Sequence, residues 1–357
     1  MQKKKNIRRH RVLSFLVLVH IVFFAYPVLR ISVWLQLSPY TSLFLGLPLI
    51  FSQVLTRWLN RRINNKGTRA LRHVADVFLG ISPTLLFGVL CAELFLILGV
   101  IEAHQAAVYS LISSVCIGLI GFYKASFPIV RLVDLDSEKI KTHLRFVQIS
   151  DVHIGSRSIG FLKSVIRKIK KLDPEFLAIT GDFIDSSGIE IDKLVALKDL
   201  SCPIYFVIGN HERYEDLDQI LDRLISLGVF VLRSNYCYPR DDLQVIGIDD
   251  KDDPLQVEKE LARIDVDQNG FSLLMYHRPM GFESAQKAGI DLMISGHTHN
   301  GQIFPFNLVV KSVFRHLAGH YRGSKGDLYV SQGTGTWGPT MRIGTVAEIT
   351  LFNIRKV

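Results

Sequence analysis

Cysteine is scarce in this chain: four residues in 357, none in a C-x-x-C arrangement. That excludes a disulfide framework and a thiolate zinc module. Internal repeats and low-complexity tracts are missing as well, so a solenoid or a disordered array is not in question. Through most of the first third, charge is also missing and is confined to short clusters. The formal net charge is +9 at pH 7, a value that invites a nucleic-acid reading. Much of it, however, sits in Lys3, Lys4, Lys5, Arg8, Arg9 and Arg11, and again in Arg57, Arg61, Arg62, Lys66, Arg69 and Arg72. Both clusters flank apolar stretches, where basic residues set membrane topology. Membrane lipids are therefore the expected partner, and nucleic acid is disfavoured.

What is present in that third is long apolar runs. A spanning helix needs about 20 mainly apolar residues. Four candidates are expected, at about Val12 to Leu29, Tyr40 to Leu55, Val77 to Ile101 and Ala106 to Tyr123. No small-x-small cleavage site follows the first, and three more runs do, so it reads as a retained helix rather than a signal peptide. Glu93 lies inside the third run and is expected to be a helix-packing or interfacial residue rather than to serve transport. Lys and Arg gather before the first span and between the second and third, which places the N-terminus and, after four spans, the remaining chain on the inner side.

The division expected is a transmembrane region over 1–124, a linker over 125–143 and a soluble domain over 144–357. In the soluble part, strand-like runs at Leu144–Ile149, Phe176–Ile179, Ile204–Ile208, Val229–Leu232, Leu243–Ile248, Phe271–Met275, Leu292–Ile294, Leu328–Val330 and Val346–Leu351 alternate with amphipathic helices at Phe161–Leu172 and Leu217–Leu227. Such alternation predicts an α/β layered sandwich. The polar residues of interest follow the strands, where an open α/β sheet places its ligand crevice. Asp151-Val152-His153, Gly181-Asp182, Gly209-Asn210-His211-Glu212, His277 and Gly296-His297-Thr298-His299 each come directly after an apolar run. Carboxylate oxygen, amide oxygen and imidazole nitrogen together suit divalent Mn, Fe, Zn or Ni.

D-x-H, G-D, G-N-H-E, a lone His and G-H-x-H, in that order over about Phe146 to Gln302, resemble the calcineurin-like metallophosphoesterases. Gly333-Thr334-Gly335-Thr336-Trp337-Gly338-Pro339 is similar to their membrane-associated bacterial branch, in which Asn300 is usually Gly. The resemblance implies two mixed sheets flanked by helices and two divalent metal ions. Asp151, His153 and His299 would hold the first ion, Asn210, His277 and His297 the second, and Asp182 would bridge them. His211 would act on the reacting phosphate, with Glu212 orienting it. The activity implied is phosphoester hydrolysis, as a phosphodiesterase or pyrophosphohydrolase acting on a membrane or lipid-linked substrate. Cleavage of UDP-2,3-diacylglucosamine is one alternative, and a catalytically weak membrane sensor or scaffold is another. An integral protein of the bacterial inner membrane with a cytoplasmic catalytic domain is the expectation. His316, His320, Arg278, Arg342 and Trp337 are left as packing, ion-pairing or substrate-contact residues.

Overall fold

A computed structural model describes residues 17–63, 65–186 and 188–357. The basic cluster from Lys3 to Arg11 and the first residues of the first expected span lie outside these. Helix α1 runs over Val17–Trp34, five residues beyond the end expected for it. It widens to π geometry at Ile21–Ala25, where the Tyr26 N–H reaches back to the Ile21 carbonyl. The second expected span is broken. Helices α2 (Pro39–Ile50) and α3 (Ser52–Arg62) meet at Phe51 with a bend of 56°. Pro48 lies inside α2; it lacks an N–H and its ring crowds the carbonyl four residues back. Helix α4 (Lys66–Ile97) starts from an Asn65–Thr68 capping box, and α5 covers Ala103–Ser126. Among the described residues, three helices are long and apolar enough to cross a membrane, or four if the bent pair is one span. Ile31, Trp34, Leu85, Val89, Ala92, Ala106 and Ala107 form their shared core. Glu93 takes hydrogen bonds from the Tyr26 hydroxyl and the Arg30 guanidinium, so it packs helices, as expected of it.

Residues Lys124–Gly338 and Arg342–Val357 form a second compact unit. It contains two mixed six-stranded sheets. In the first, the order is β1 (Ile129–Ser137), β12 (Glu348–Lys356), β2 (Leu144–Ile149), β3 (Phe176–Thr180), β4 (Ile204–Val207) and β5 (Val229–Val231). In the second it is β10 (Gly319–Arg322), β11 (Asp327–Val330), β9 (Leu292–Ser295), β8 (Phe271–Tyr276), β7 (Leu243–Ile248) and β6 (Asn235–Arg240). Strands β2 to β5 run parallel, as do β7, β8, β9 and β11.

Alternation along each strand feeds three cores. Phe146, Phe176, Tyr205, Val245, Leu273, Ile294 and Phe352 meet between the sheets, where Phe146 stacks at 4.7 Å on both Phe176 and Phe352. Val147, Ile149, Leu177 and Ile179 point the other way, against α6 (Ile159–Leu172) and α8 (Leu217–Ser226), with the short α7 (Asn210–Tyr214) between these two in the chain. Ile246, Leu274 and Met293 pack on α9 (Gln256–Leu261) and α10 (Phe282–Ala288). The result is the expected pair of mixed sheets flanked by helices.

The stretch 125–143, expected as a linker, carries β1, which pairs in parallel with β12 along its whole length. Only Val133 of β1 is fully buried, so its sequence shows no sustained apolar alternation. β6 and β10 also lie at sheet edges and were not anticipated from the pattern.

Candidate metal centre

The residues after β2, β3, β4, β8 and β9 converge at one end of the sandwich. Asp151, His153 and His299 offer ligand atoms within 4.8 Å of one another, as do His153, Asp182 and His211, and Asp182, His277 and His297. Asn210 joins the last group, its Oδ1 lying 3.2 Å from His277 Nε2. All eight residues anticipated from the sequence are thus brought together.

The backbone beneath them is unusual. Asp151, His153, Asp182, His297 and His299 all have positive φ, between 49° and 74°. For an L-residue this conformation costs roughly 1–2 kcal/mol. Asp and His tolerate it better than most, yet five such residues around one point mark a site rather than a core. Asn300 is left-handed too, at φ 50°, a conformation Asn tolerates better than most residues. Glycine is required where loops touch: a Cβ on Gly296 would fall 1.9 Å from Ser150 Oγ and 2.3 Å from Asp151 Oδ2.

Like groups face one another here. His153 Nε2 lies 3.1 Å from His299 Nε2, and His297 Nδ1 lies 3.1 Å from His277 Nε2. The far sides of the rings are held. His277 Nδ1–H donates to the Thr180 carbonyl at 2.8 Å, which leaves Nε2 as the atom that faces the site. His153 Nδ1 lies 3.5 Å from Asp185 Oδ2, and Asp185 is itself held by the backbone and hydroxyl of Ser156. A carboxylate behind a ligating imidazole fixes its orientation and raises its basicity. Asp185 was not anticipated; only its place three residues after Asp182 hinted at it.

Charge in the site is correspondingly tense. Burial alone would raise the Asp182 carboxyl, but the His277, His153 and His211 imidazoles outweigh it and hold it well below the usual carboxylate range. Burial pulls His277 down, while Asp182 and Asp151 more than reverse this and push it up to about 10. Its partner His297 is pulled down to about 3 by burial and by His277. The other pair divides likewise: burial and then His153 hold His299 well below its ordinary value, whereas the Asp185, Asp182 and Asp151 carboxylates raise His153 against its burial. One proton in each facing pair supplies positive charge beside the buried aspartates. A divalent cation between the same nitrogens supplies that charge without the protons, so the donor set fits two ions of the oxygen- and nitrogen-binding kind.

His211 stands at the open side, its side chain 21% exposed, with Nε2 4.0 Å from Asp182 Oδ2. Burial lowers its pKa, opposed by Asp182. Glu212 does not orient the His211 ring. Its buried carboxylate accepts the N–H groups of Asp182, Phe183, Ile184 and Gly209 and so ties the loop after β3 to the loop after β4. Burial and Asp182 push it up to about 7.

The undecided residues now separate. Arg278 pairs with Asp250 at 2.6 Å and also with Asp252. Arg342 is fully buried and donates to the carbonyls of His299, Gly333 and Gly335; it pins the turn that carries His299. His316 packs between Phe282 and Tyr321, and His320 pairs with Asp327. Trp337 is 53% exposed, with its ring 6.2 Å from that of His211.

Comparison with known proteins agrees with this geometry. The calcineurin-like phosphoesterase family model matches residues 144–301. An uncharacterized metallophosphoesterase of Campylobacter jejuni is 32% identical over 237 residues, covering 64% of this chain and 63% of that protein. One of Aquifex aeolicus is 30% identical over 263 residues, covering 68% of this chain and 97% of that protein. A transmembrane protein with metallophosphoesterase domain from Bos taurus is 33% identical over 233 residues, 58% of this chain and 52% of that one. The matched segment thus spans a little under two thirds of the Campylobacter protein and about half of the bovine one. With the ordered ligand motifs, the paired sheets and these relatives in agreement, the chain belongs to the calcineurin-like phosphoesterase family.

Proposed function

We propose that the chain is a metal-dependent phosphoester hydrolase, a phosphodiesterase or pyrophosphohydrolase, that works beside a membrane. The observation that carries this is the set of left-handed Asp and His residues whose donor atoms face one another. Asp151, His153 and His299 would hold one divalent ion, and Asn210, His277 and His297 the other. Asp182 belongs to both neighbouring groups and would be shared. Two divalent cations against two carboxylates leave a net positive centre, which favours a phosphate anion. When bound, the ions would supply Lewis acidity toward a phosphoryl oxygen and an activated water at neutral pH.

The chain's own groups do the rest. His211 is placed to stabilise charge on the phosphoryl group or to give a proton to the leaving oxygen. An approaching phosphate anion adds negative charge that favours its imidazolium form. The backbone cross-tied by Glu212 and Arg342 holds the ligand loops in their strained geometry. Mn, Fe, Zn and Ni all match the donors. Membrane lipids and a lipid-linked phosphoester fit a catalytic domain joined to apolar helices, and the inner face of a bacterial inner membrane fits the Lys/Arg distribution. UDP-2,3-diacylglucosamine is one substrate of that kind.

Hydrolysis of bis-p-nitrophenyl phosphate and of lipid-linked diphosphates by the purified full chain with Mn tests this reading. Turnover that disappears in Asp182→Ala supports it; no turnover by the parent protein refutes it.

A further inference from the structure

Helix α11 (Phe306–Val313) has no buried residue. Phe306, Val309 and Val313 lie at helical spacing along one side, all at least 49% exposed, while Leu308, exposed as well, is on the opposite side with Lys311. Phe304, just before the helix, and Trp337 extend the apolar surface. A helix with this composition gains nothing from the domain core; its apolar side is unpartnered among the described residues. It is also tied to the metal centre at both ends. A Cβ on Gly301, two residues after His299, would lie 2.3 Å from Asn307 Cα, so the first turn of α11 rests directly on the ligand turn. Beyond the other end, the Phe314 ring meets His297 at 5.2 Å. Gln302 and Trp337 exchange hydrogen bonds of 3.0 and 2.9 Å through side chain and backbone, which holds Trp337 beside the same turn.

We propose that α11, with Phe304 and Trp337, seats in the headgroup region of a lipid bilayer and brings the metal centre to phosphoesters at the membrane surface. This deepens the hydrolase reading and rests on it for the chemistry, though not for the seating. An amphipathic helix with bulky apolar residues along one face and basic residues near the other lies in the plane of the interface. Lys311 and Arg315 are exposed here; Arg315 also pairs with Glu283 at 2.8 Å. Both carry charge that suits anionic headgroups. A second copy of the chain fits less well. A stable dimer buries about 800 Å² and 20–30 residues per partner, far more than one stripe on an eight-residue helix offers. A stripe this short binds a free bilayer weakly, but helices able to cross the membrane in the same chain raise its effective concentration at the surface.

The full chain would be placed in nanodiscs of phosphatidylcholine with phosphatidylglycerol, carrying a photo-crosslinking p-benzoylphenylalanine in place of Val309. The expected product on irradiation is a lipid adduct at position 309. Absence of any lipid adduct, or a chain-to-chain adduct in its place, overturns the seating. In the second arm, Val309→Asp with Val313→Asp is expected to slow hydrolysis of a bilayer-embedded diacylglycerol p-nitrophenyl phosphodiester about tenfold. Hydrolysis of water-soluble bis-p-nitrophenyl phosphate should stay within about twofold. Equal loss on both substrates overturns the proposal. A lipid adduct on a protein that hydrolyses neither substrate upholds the seating and defeats the hydrolase reading.

Discussion

Glu93 and Asp182 are both acids held away from bulk water, and their surroundings are opposites. Around Glu93 the groups are complementary: a tyrosine hydroxyl and an arginine guanidinium donate to it, and Arg30 also lies over the Trp34 ring at 5.1 Å. The cluster is complete as it stands, as polar groups among apolar helices must be. Around Asp182 stand a second buried aspartate and imidazoles that face one another nitrogen to nitrogen, on left-handed backbone. Such a cluster is balanced only by added positive charge. A buried polar group that satisfies its neighbours speaks for packing; one set among imidazoles whose nitrogens face each other speaks for a ligand.

Substitutions sharpen this contrast. The largest loss is expected for Asp182→Ala, which should lower turnover on the order of 10³-fold or more and reduce bound metal measured on the same sample. His211→Asn should lower kcat about 10²–10⁴-fold with metal content unchanged, because His211 is placed on substrate rather than on an ion. Next comes Asp185→Ala, expected to weaken metal affinity about 10–100-fold through loss of the carboxylate behind His153. At the other end, Glu93→Gln should leave metal content and bis-p-nitrophenyl phosphate turnover within about twofold while lowering the thermal midpoint. Loss of metal in Glu93→Gln, or its retention in Asp182→Ala, would break the comparison.

Acidity tests the same contrast. The His277 pKa is raised in the folded, metal-free protein, to about 10. Its protonation therefore stabilises that state fully below its unfolded value near 6.5, and the contribution is lost as pH rises through about 10. A metal ion must displace that proton. Metal affinity should rise with pH across this window, with proton release visible as buffer-dependent heat in titration calorimetry. No proton release near pH 7 would contradict the assignment of His277 as a ligand.

The site could be read from the sequence because each ligand follows an apolar strand, and the order of blocks survives any error in strand ends. What could not be read is conformational or distant. Nothing in the sequence marks Asp151 or His297 as left-handed, and Arg342 reaches the His299 turn from 43 residues away in the chain. The strands that were missed share one cause. β1, β6 and β10 are all at sheet edges, where one side is exposed and alternation is weak. β6 also carries Pro239 at a shift in its register with β7, a feature that argues against a central strand. Apolar runs likewise locate the helices, and Pro48 marks the second span as interrupted, but neither gives the bend of 56° at Phe51.

The central claim is that facing His and Asp groups hold two ions. Metal analysis of the full chain after reconstitution with Mn, alongside Asp182→Ala, tests it most directly. The account predicts close to two ions per chain, with a marked loss in the variant. Fewer than one ion per chain in the parent protein, or equal metal in both, would contradict it.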